Sequence, residues 1–252
     1  NGKLLARTPY TEVFVGGAPD DSGTAVGAAL HGAAKAGAAG TLSQEERHNY
    51  WGRVYADEEI AAELARRKLR ATRIEDPAAV GAACLRAGKI LGWFQGASEF
   101  GQRALGNRSI LADPTLATMK DAVNASVKYR EGYRPFAPAV LHERQDDVLD
   151  MCGQSAYFME KVFPVRESWR KRLPAVVHFD GTGRAQTVDR DVNPLFHNLI
   201  REFEKLSGVP VVLNTSFNVN GMPLVETPGD ALTCFHACGL DALILGHYLL
   251  EK

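Results

Sequence analysis

The chain has 252 residues, 45% of them apolar and 23% charged, a composition that places it among folded globular proteins and argues against disorder. Its 29 basic and 30 acidic side chains balance to a net charge of −1. That balance excludes a strongly basic nucleic-acid binder and a polybasic membrane segment, while leaving room for a local basic pocket. No apolar run approaches the ~18 residues of a membrane span and no export signal opens the chain, so neither membrane nor nucleic acid is expected as a partner and the expected compartment is the cytoplasm. Cys84, Cys152, Cys234 and Cys238 are too few and too scattered for a disulfide framework and read as reduced core residues. The first residue is Asn1, and the chain reads as a piece of a longer polypeptide.

In chain order, Glu12-Val-Phe-Val15 reads as a short strand and Gly16 to Gly23 as a turn. An Ala-rich helix is expected from Thr24 to Ala39, with Ser22 or Asp21 near its N-cap, Gly37 and Gly40 at its end, and a small-residue surface suited to close packing. Thr41 to about Tyr55 is polar and irregular and reads as a linker. Asp57 to Arg70 is an amphipathic helix with Ile60, Ala61, Leu64 and Ala65 on one face and acids leading bases. Asp76-Pro77 opens a helix that Gly88 stops, and Ile90 to Phe94 reads as a buried strand. Further short strands are expected at Pro138–Leu141, Ala175–Phe179, Val209–Leu213 and Ala242–Leu245. Asn193-Pro194 starts a helix to Ser207 that Gly208 caps, and Thr227-Pro228 starts another that ends at Gly239. Strands and helices that alternate over short connections predict an α/β domain with a mixed sheet covered by helices.

Three clusters carry the chemistry. Between Gly96 and Pro138 stand Arg103, Arg108, Lys128, Arg130 and Arg134, interleaved with glycines and aromatics rather than with acids. A solvated helical face would mix both signs at a spacing of three or four. Lys128-x-Arg130 on an extended segment would instead point two cations to one side, as a site for a polyphosphate or acyl phosphate requires. A surface salt-bridge network is the plainer alternative. Asn214-Thr-Ser216-Phe-Asn218 follows a buried strand, at the carboxyl end where open α/β sheets tend to bind ligands, and offers hydroxyls and amides to phosphate or ribose; a polar turn is the competing reading. His178 to Thr187 again follows an expected strand, with Arg184 and Gln186 alternating onto one side; a hairpin turn explains it equally, and His178 reads more readily as structural than as catalytic. No Walker loop, no Gly-x-Gly-x-x-Gly and no Ser-His-Asp or Cys-His set occurs. The joint pattern favours phosphate chemistry by positioning and electrostatics over a protein nucleophile.

The segments EFGQRALGNRSILADP, KYREGYRPFAPAV, HFDGTGRAQTV and GVPVVLNTSFNVNGMPLVETP resemble the O-carbamoyltransferases of the NodU/CmcH/TobZ type, over nearly the whole chain and in order. The resemblance implies a YrdC-like domain, a twisted mixed sheet with flanking helices, over residues 76–252. It further implies that residues 1–40 are the tail of a preceding actin/Hsp70-like ATPase-fold domain and that 41–75 are a linker and connecting helix. It implies that carbamoyl-adenylate is formed from ATP, with Mg²⁺, and carbamoyl phosphate, and that the carbamoyl group passes to an acceptor hydroxyl in the preceding domain. The family's Lys-x-Arg and Ser-x-Asn signatures fall on Lys128, Arg130, Ser216 and Asn218, expected at ATP. Arg103, Lys128 and Arg134, with Arg184, are expected at carbamoyl phosphate, and Lys128, Arg130 and Arg134 at the reaction itself. Asp21 matches an aspartate that holds a further divalent metal in the full-length enzymes, although in this chain an N-cap role is the favoured reading. The other readings are a threonylcarbamoyl-adenylate synthase of tRNA modification, a non-catalytic RNA-binding module, and a domain that only docks onto its neighbour.

Overall fold

The computed structural model describes residues 1–38 and 47–252. Gly40 as a helix end and Thr41 as the start of the linker lie outside the described residues.

The N-terminal stretch holds a single-turn helix α1 (Leu4–Arg7) and α2 (Asp21–Lys35). Glu12–Val15 forms no strand, and Phe14 is 80% exposed. Asp20, rather than Asp21 or Ser22, caps α2 by accepting from Ser22 N, and Asp21 is the first helical residue. None of the residues of α2 is buried, so the close packing expected of its Ala/Gly surface is not made within the described residues.

Next come α3 (Asp57–Arg66), β1 (Thr72–Arg73), α4 (Pro77–Arg86), β2 (Leu91–Phe94) and β3 (Arg108–Ala112). Then α5 (Met119–Val123) runs into a π-helical turn at Asn124–Lys128, followed by β4 (Ala137–Leu141) and the short α6 (Gln145–Val148). Two small elements, β5 (Phe163–Pro164) and α7 (Glu167–Arg170), precede β6 (Thr182–Gly183) and β7 (Gln186–Val188). The chain ends in α8 (Pro194–Ser207), β8 (Val211–Ser216), α9 (Pro228–Ala237), β9 (Ala242–Leu245) and β10 (Tyr248–Glu251).

The helix boundaries follow capping chemistry. Asp76 accepts from Ala79 N at 3.0 Å, Asn193 from Phe196 N at 3.0 Å and Thr227 from Asp230 N at 3.1 Å, each just before a proline that has no N–H to lose. Gly208, at φ 70°, closes α8 in the left-handed region. The stripe expected on α8 is buried at Phe196, Leu199, Ile200 and Phe203, whereas Leu206 is exposed.

Among the described residues, eight strands form one mixed sheet in the order β1-β10-β9-β2-β3-β8-β4-β7. The β2–β9 and β4–β7 pairs are parallel and the others antiparallel. This is the mixed α/β architecture that the alternation of elements predicts. Strands β2, β4 and β9 are buried at every position, which accounts for their near-continuous apolar runs, and β3 is buried throughout although it opens on Arg108-Ser109. Helices α4 and α8 pack on each other against the sheet, and Gly81 of α4 admits Leu199 and Trp93 so closely that a Cβ there would stand 2.8 Å from Leu199.

Residues 175–179 are not a strand. Val176 and Val177 both donate to Leu173 O in a turn that buries Ala175 and Val176 but leaves Phe179 fully exposed, and the run does not join the sheet. All four cysteines are free; Cys84, Cys234 and Cys238 are buried, but Cys152 is exposed and not part of the core.

Candidate functional site

Strand β8 is flanked by β3 and β4, and its C-terminal half carries Asn214, Thr215 and Ser216. A cavity of about 90 Å³ opens there, lined among others by Arg103, Arg130, Phe136, Arg184, Asn214 and Ser216. One water needs ~10–15 Å³ of such space, so the cavity has room for a phosphate-sized group.

Lys128 reaches β8 from beside the cavity. Its Nζ lies 2.5 Å from Ser216 O, 3.2 Å from Ser216 Oγ, 2.9 Å from Asn218 O and 2.7 Å from Asn218 Oδ1. Ser216 Oγ in turn donates to Asn218 Oδ1 at 2.7 Å. All of these acceptors are neutral. Lys128 is 4% exposed, and burial, with Arg130 as a like charge, holds its ammonium down to about 7. The route to this position is not the extended segment expected of Lys128-x-Arg130. Lys128 closes the π-helical turn, Tyr129 takes φ 45° and ψ 50°, and Arg130 leaves on a new course. The two cations still meet at Ser216, but by helical rather than strand geometry.

The three guanidiniums at the cavity repel one another. Burial and then Arg103 and Arg130 depress Arg184 to about 10. Burial and Arg134 depress Arg130, and burial depresses Arg103 against an upward pull from Asp20. Asp20 acts from the cap of α2 and does not line the cavity; among the described lining residues there is no Asp or Glu. Half-buried guanidiniums in a wall without a carboxylate, pulled upward only by Asp20 and Glu131 from outside it, make a site suited to an anion.

Arg130 is aimed by its surroundings. Its Nε donates to Asn124 Oδ1 at 2.7 Å, and its guanidinium stacks 4.7 Å from the Phe136 ring centroid. Arg103 rides on a loop that Glu99 organises: buried Glu99 Oε1 accepts from the backbone N–H of Leu105 (2.6 Å), Asn107 (2.9 Å) and Arg108 (3.3 Å). The N-terminal segment abuts this loop, since a Cβ on Gly101 would meet both Ala18 and Gly17.

The structure therefore brings together Arg103, Arg130, Arg184 and Ser216 in one wall, with Lys128 and Asn218 bonded to it. Arg134 stands apart: its side chain is exposed outside the cavity, and its charge is felt at Arg130. Arg108 does not belong to the cationic set either. It is fully buried over the Phe94 ring at 3.6 Å and donates to the carbonyls of Gln95, Gly96, Asn107 and Arg53, a structural role. His178 is structural, with its Nδ1 3.1 Å from Thr182 Oγ1 across the Asp180-Gly181 turn. Asp21 is exposed, and among the described residues no group of three or more His, Cys, Asp or Glu could hold a metal, so Asp21 lacks co-ligands. Sequence reasoning assigned no role to Asn124 or Phe136: Phe136 sits inside a charged segment without a charge of its own, and the only trace of Asn124 is a weak helix former inside an otherwise helical run.

A family model described as "Carbamoyltransferase C-terminus" matches residues 82–252. The chain is 45% identical to nodulation protein NolNO of Sinorhizobium fredii, over all of this chain and 38% of that protein. It is 42% identical to nodulation protein NolO of Bradyrhizobium diazoefficiens, over all of this chain and 47% of that protein. With the 3'-hydroxymethylcephem-O-carbamoyltransferase of Amycolatopsis lactamdurans it shares 34% identity over 94% of this chain and 43% of that protein. The chain thus spans less than half the length of these relatives. None of the helices among the described residues is long and apolar enough to cross a membrane.

Proposed function

The chain belongs to the carbamoyltransferase C-terminus family, and from that premise we propose that it forms carbamoyl-adenylate from MgATP and carbamoyl phosphate in the cytoplasm, for O-carbamoylation of a hydroxyl on a natural product or nodulation factor. The proposal includes the division of labour stated above: a YrdC-like unit over 76–252 makes the adenylate, and the unit to which residues 1–40 belong carries out the transfer. The observation that carries this reading is the cavity at the end of β8, whose wall holds three arginines and no carboxylate, with buried Lys128 bonded to Ser216 of that wall.

In this reading Arg103 and Arg184 hold the phosphate of carbamoyl phosphate, with Arg134 attracting it from the rim. Water hydrolyses the bound carbamoyl phosphate, the acyl–phosphate linkage breaks and phosphate leaves; the carbamate so formed is unstable in water and must stay enclosed until its oxygen attacks the α-phosphorus of ATP and expels pyrophosphate. Lys128, Arg130, Ser216 and Asn218 hold the triphosphate and meet the charge that develops on phosphorus. Such preorganised donors typically supply a hundred- to a thousandfold in rate each. The described cavity wall offers Mg²⁺ no carboxylate, so the metal enters as part of MgATP, bound by the triphosphate and water.

Pyrophosphate release by the chain with MgATP and carbamoyl phosphate tests the proposal. No release above background, with Lys128→Ala indistinguishable from the parent, would overturn it. Release that depends on threonine and bicarbonate instead would assign the chain to threonylcarbamoyl-adenylate synthesis.

A further inference from the structure

Asn214 lies two residues before Ser216 on β8, so both side chains project from the same face of the strand. It is 1% exposed. Its Nδ2 donates to Ala104 O at 3.2 Å and to Gln186 Oε1 at 2.8 Å, and Gln186 Nε2 donates to Leu105 O at 2.8 Å. Main-chain carbonyls thus terminate this amide relay at both ends and fix its direction, because turning over either amide would set oxygen against oxygen. Both hydrogens of Asn214 are spent, while its Oδ1 is buried and has no partner in a residue that lines the arginine cavity. A buried acceptor left unpaired is costly.

Guanidiniums cannot distinguish one acyl phosphate from another. Carbamoyl phosphate and acetyl phosphate present the same phosphate and the same carbonyl, and differ only in an amino group where the other has a methyl. An amino group is a donor, and arginines offer it nothing. Ser216 Oγ is already committed to Asn218 and Lys128. We propose that Asn214 Oδ1 accepts the hydrogen bond of the substrate's amino group and makes the site selective for a carbamoyl over an acetyl phosphate. The inference rests on reading the cavity as the carbamoyl phosphate site. A site built to bond a substrate N–H rejects the analogue that lacks it, because the acceptor is then stranded.

Calorimetric titration with phosphonoacetamide and acetonylphosphonate, stable analogues that differ only in amino against methyl, and with inorganic phosphate tests it. The parent should bind phosphonoacetamide ~10- to 100-fold more tightly than acetonylphosphonate. Asn214→Leu should bring the ratio close to one. Gln186→Leu, which retains Asn214 but frees one of its hydrogens and lets the amide rotate, should lower the ratio too and carries the variant test if Asn214→Leu does not fold. Equal affinity of the parent for the two analogues overturns the inference and leaves the anion site standing. No binding of any of the three anions overturns the reading of the cavity, and the selectivity with it.

Discussion

Lys128 Nζ stands 2.7 Å from Asn218 Oδ1, joining stretches 90 residues apart through a cation and a neutral amide. Among the described residues Lys128 makes no ion pair, and this decides how it titrates. Folded, the amine gives up its proton near 7, against 10.5 for an unperturbed lysine. Between those values the unfolded chain binds more protons than the folded one, so stability rises with pH across that window. An anion entering the cavity restores the charge. Calorimetry at pH 8 in buffers of different ionisation enthalpy should therefore show proton uptake when pyrophosphate binds, and Lys128→Met should show none and lose the rise in stability. Binding by the parent without uptake would contradict the assignment.

Arg184 is held among like charges, so its removal should relieve strain in the empty protein. Arg184→Met is expected to melt at or slightly above the parent temperature, with a change within ~1 kcal/mol. The stabilisation that added phosphate gives the parent should largely vanish, and pyrophosphate release should fall about a hundredfold or more. A variant that melts well below the parent would show that Arg184 is structural.

Asn124 links the two sides of the 128–134 segment, accepting from Arg130 Nε at 2.7 Å and donating to Arg134 O at 3.1 Å. Asn124→Leu should cost roughly 1–2 kcal/mol of stability through the lost bonds. It should also weaken pyrophosphate binding about tenfold, since Arg130 is then no longer aimed. Equal loss of affinity for pyrophosphate and for an uncharged nucleoside would point to general unfolding instead.

Glu99 gathers three backbone amides on one oxygen, while burial raises its carboxyl above the ordinary 4.5. In the window just above 4.5 the folded chain therefore binds more protons than the unfolded one, and stability falls as pH rises through it. Urea unfolding between pH 4.5 and 7 should show this slope in the parent and none in Glu99→Gln. Glu99→Leu, which strands the amides, should lose ~2–4 kcal/mol at every pH.

How much of this was legible in the sequence depends on the range of the signal. Asp76-Pro77, Asn193-Pro194 and Thr227-Pro228 mark helix starts because a cap acts within three residues. Strands β1, β3, β7 and β10 of the sheet went unread: β3 hides within the motif-rich loop segment, between its neighbour β2 just before it and β8 far along the chain. Ala175–Phe179 misled because Ala175 and Val176 are buried in a turn rather than paired in the sheet, and Phe179 is exposed. Residue types marked out the cationic cluster, since its arginines are interleaved with glycine and aromatics rather than with acids. Their separation into a cavity-lining set, an exposed Arg134 and a core Arg108 was not legible, because Phe94 and the carbonyls that absorb Arg108 carry no charge signal.

The Asn124–Lys128 turn accommodates an extra residue on the way to the ammonium. Each residue of an α-helix advances the side-chain direction by about 100°. Deleting one residue from this turn would restore ordinary α-helical winding and bring the lysine back to nearly the same bearing, because an i→i+5 turn uses about one residue more than an α-turn for a similar rotation. Winding and residue count can thus compensate for one another here: a chain one residue shorter before the lysine, wound as a plain α-helix, would still turn Lys-x-Arg toward the strand end.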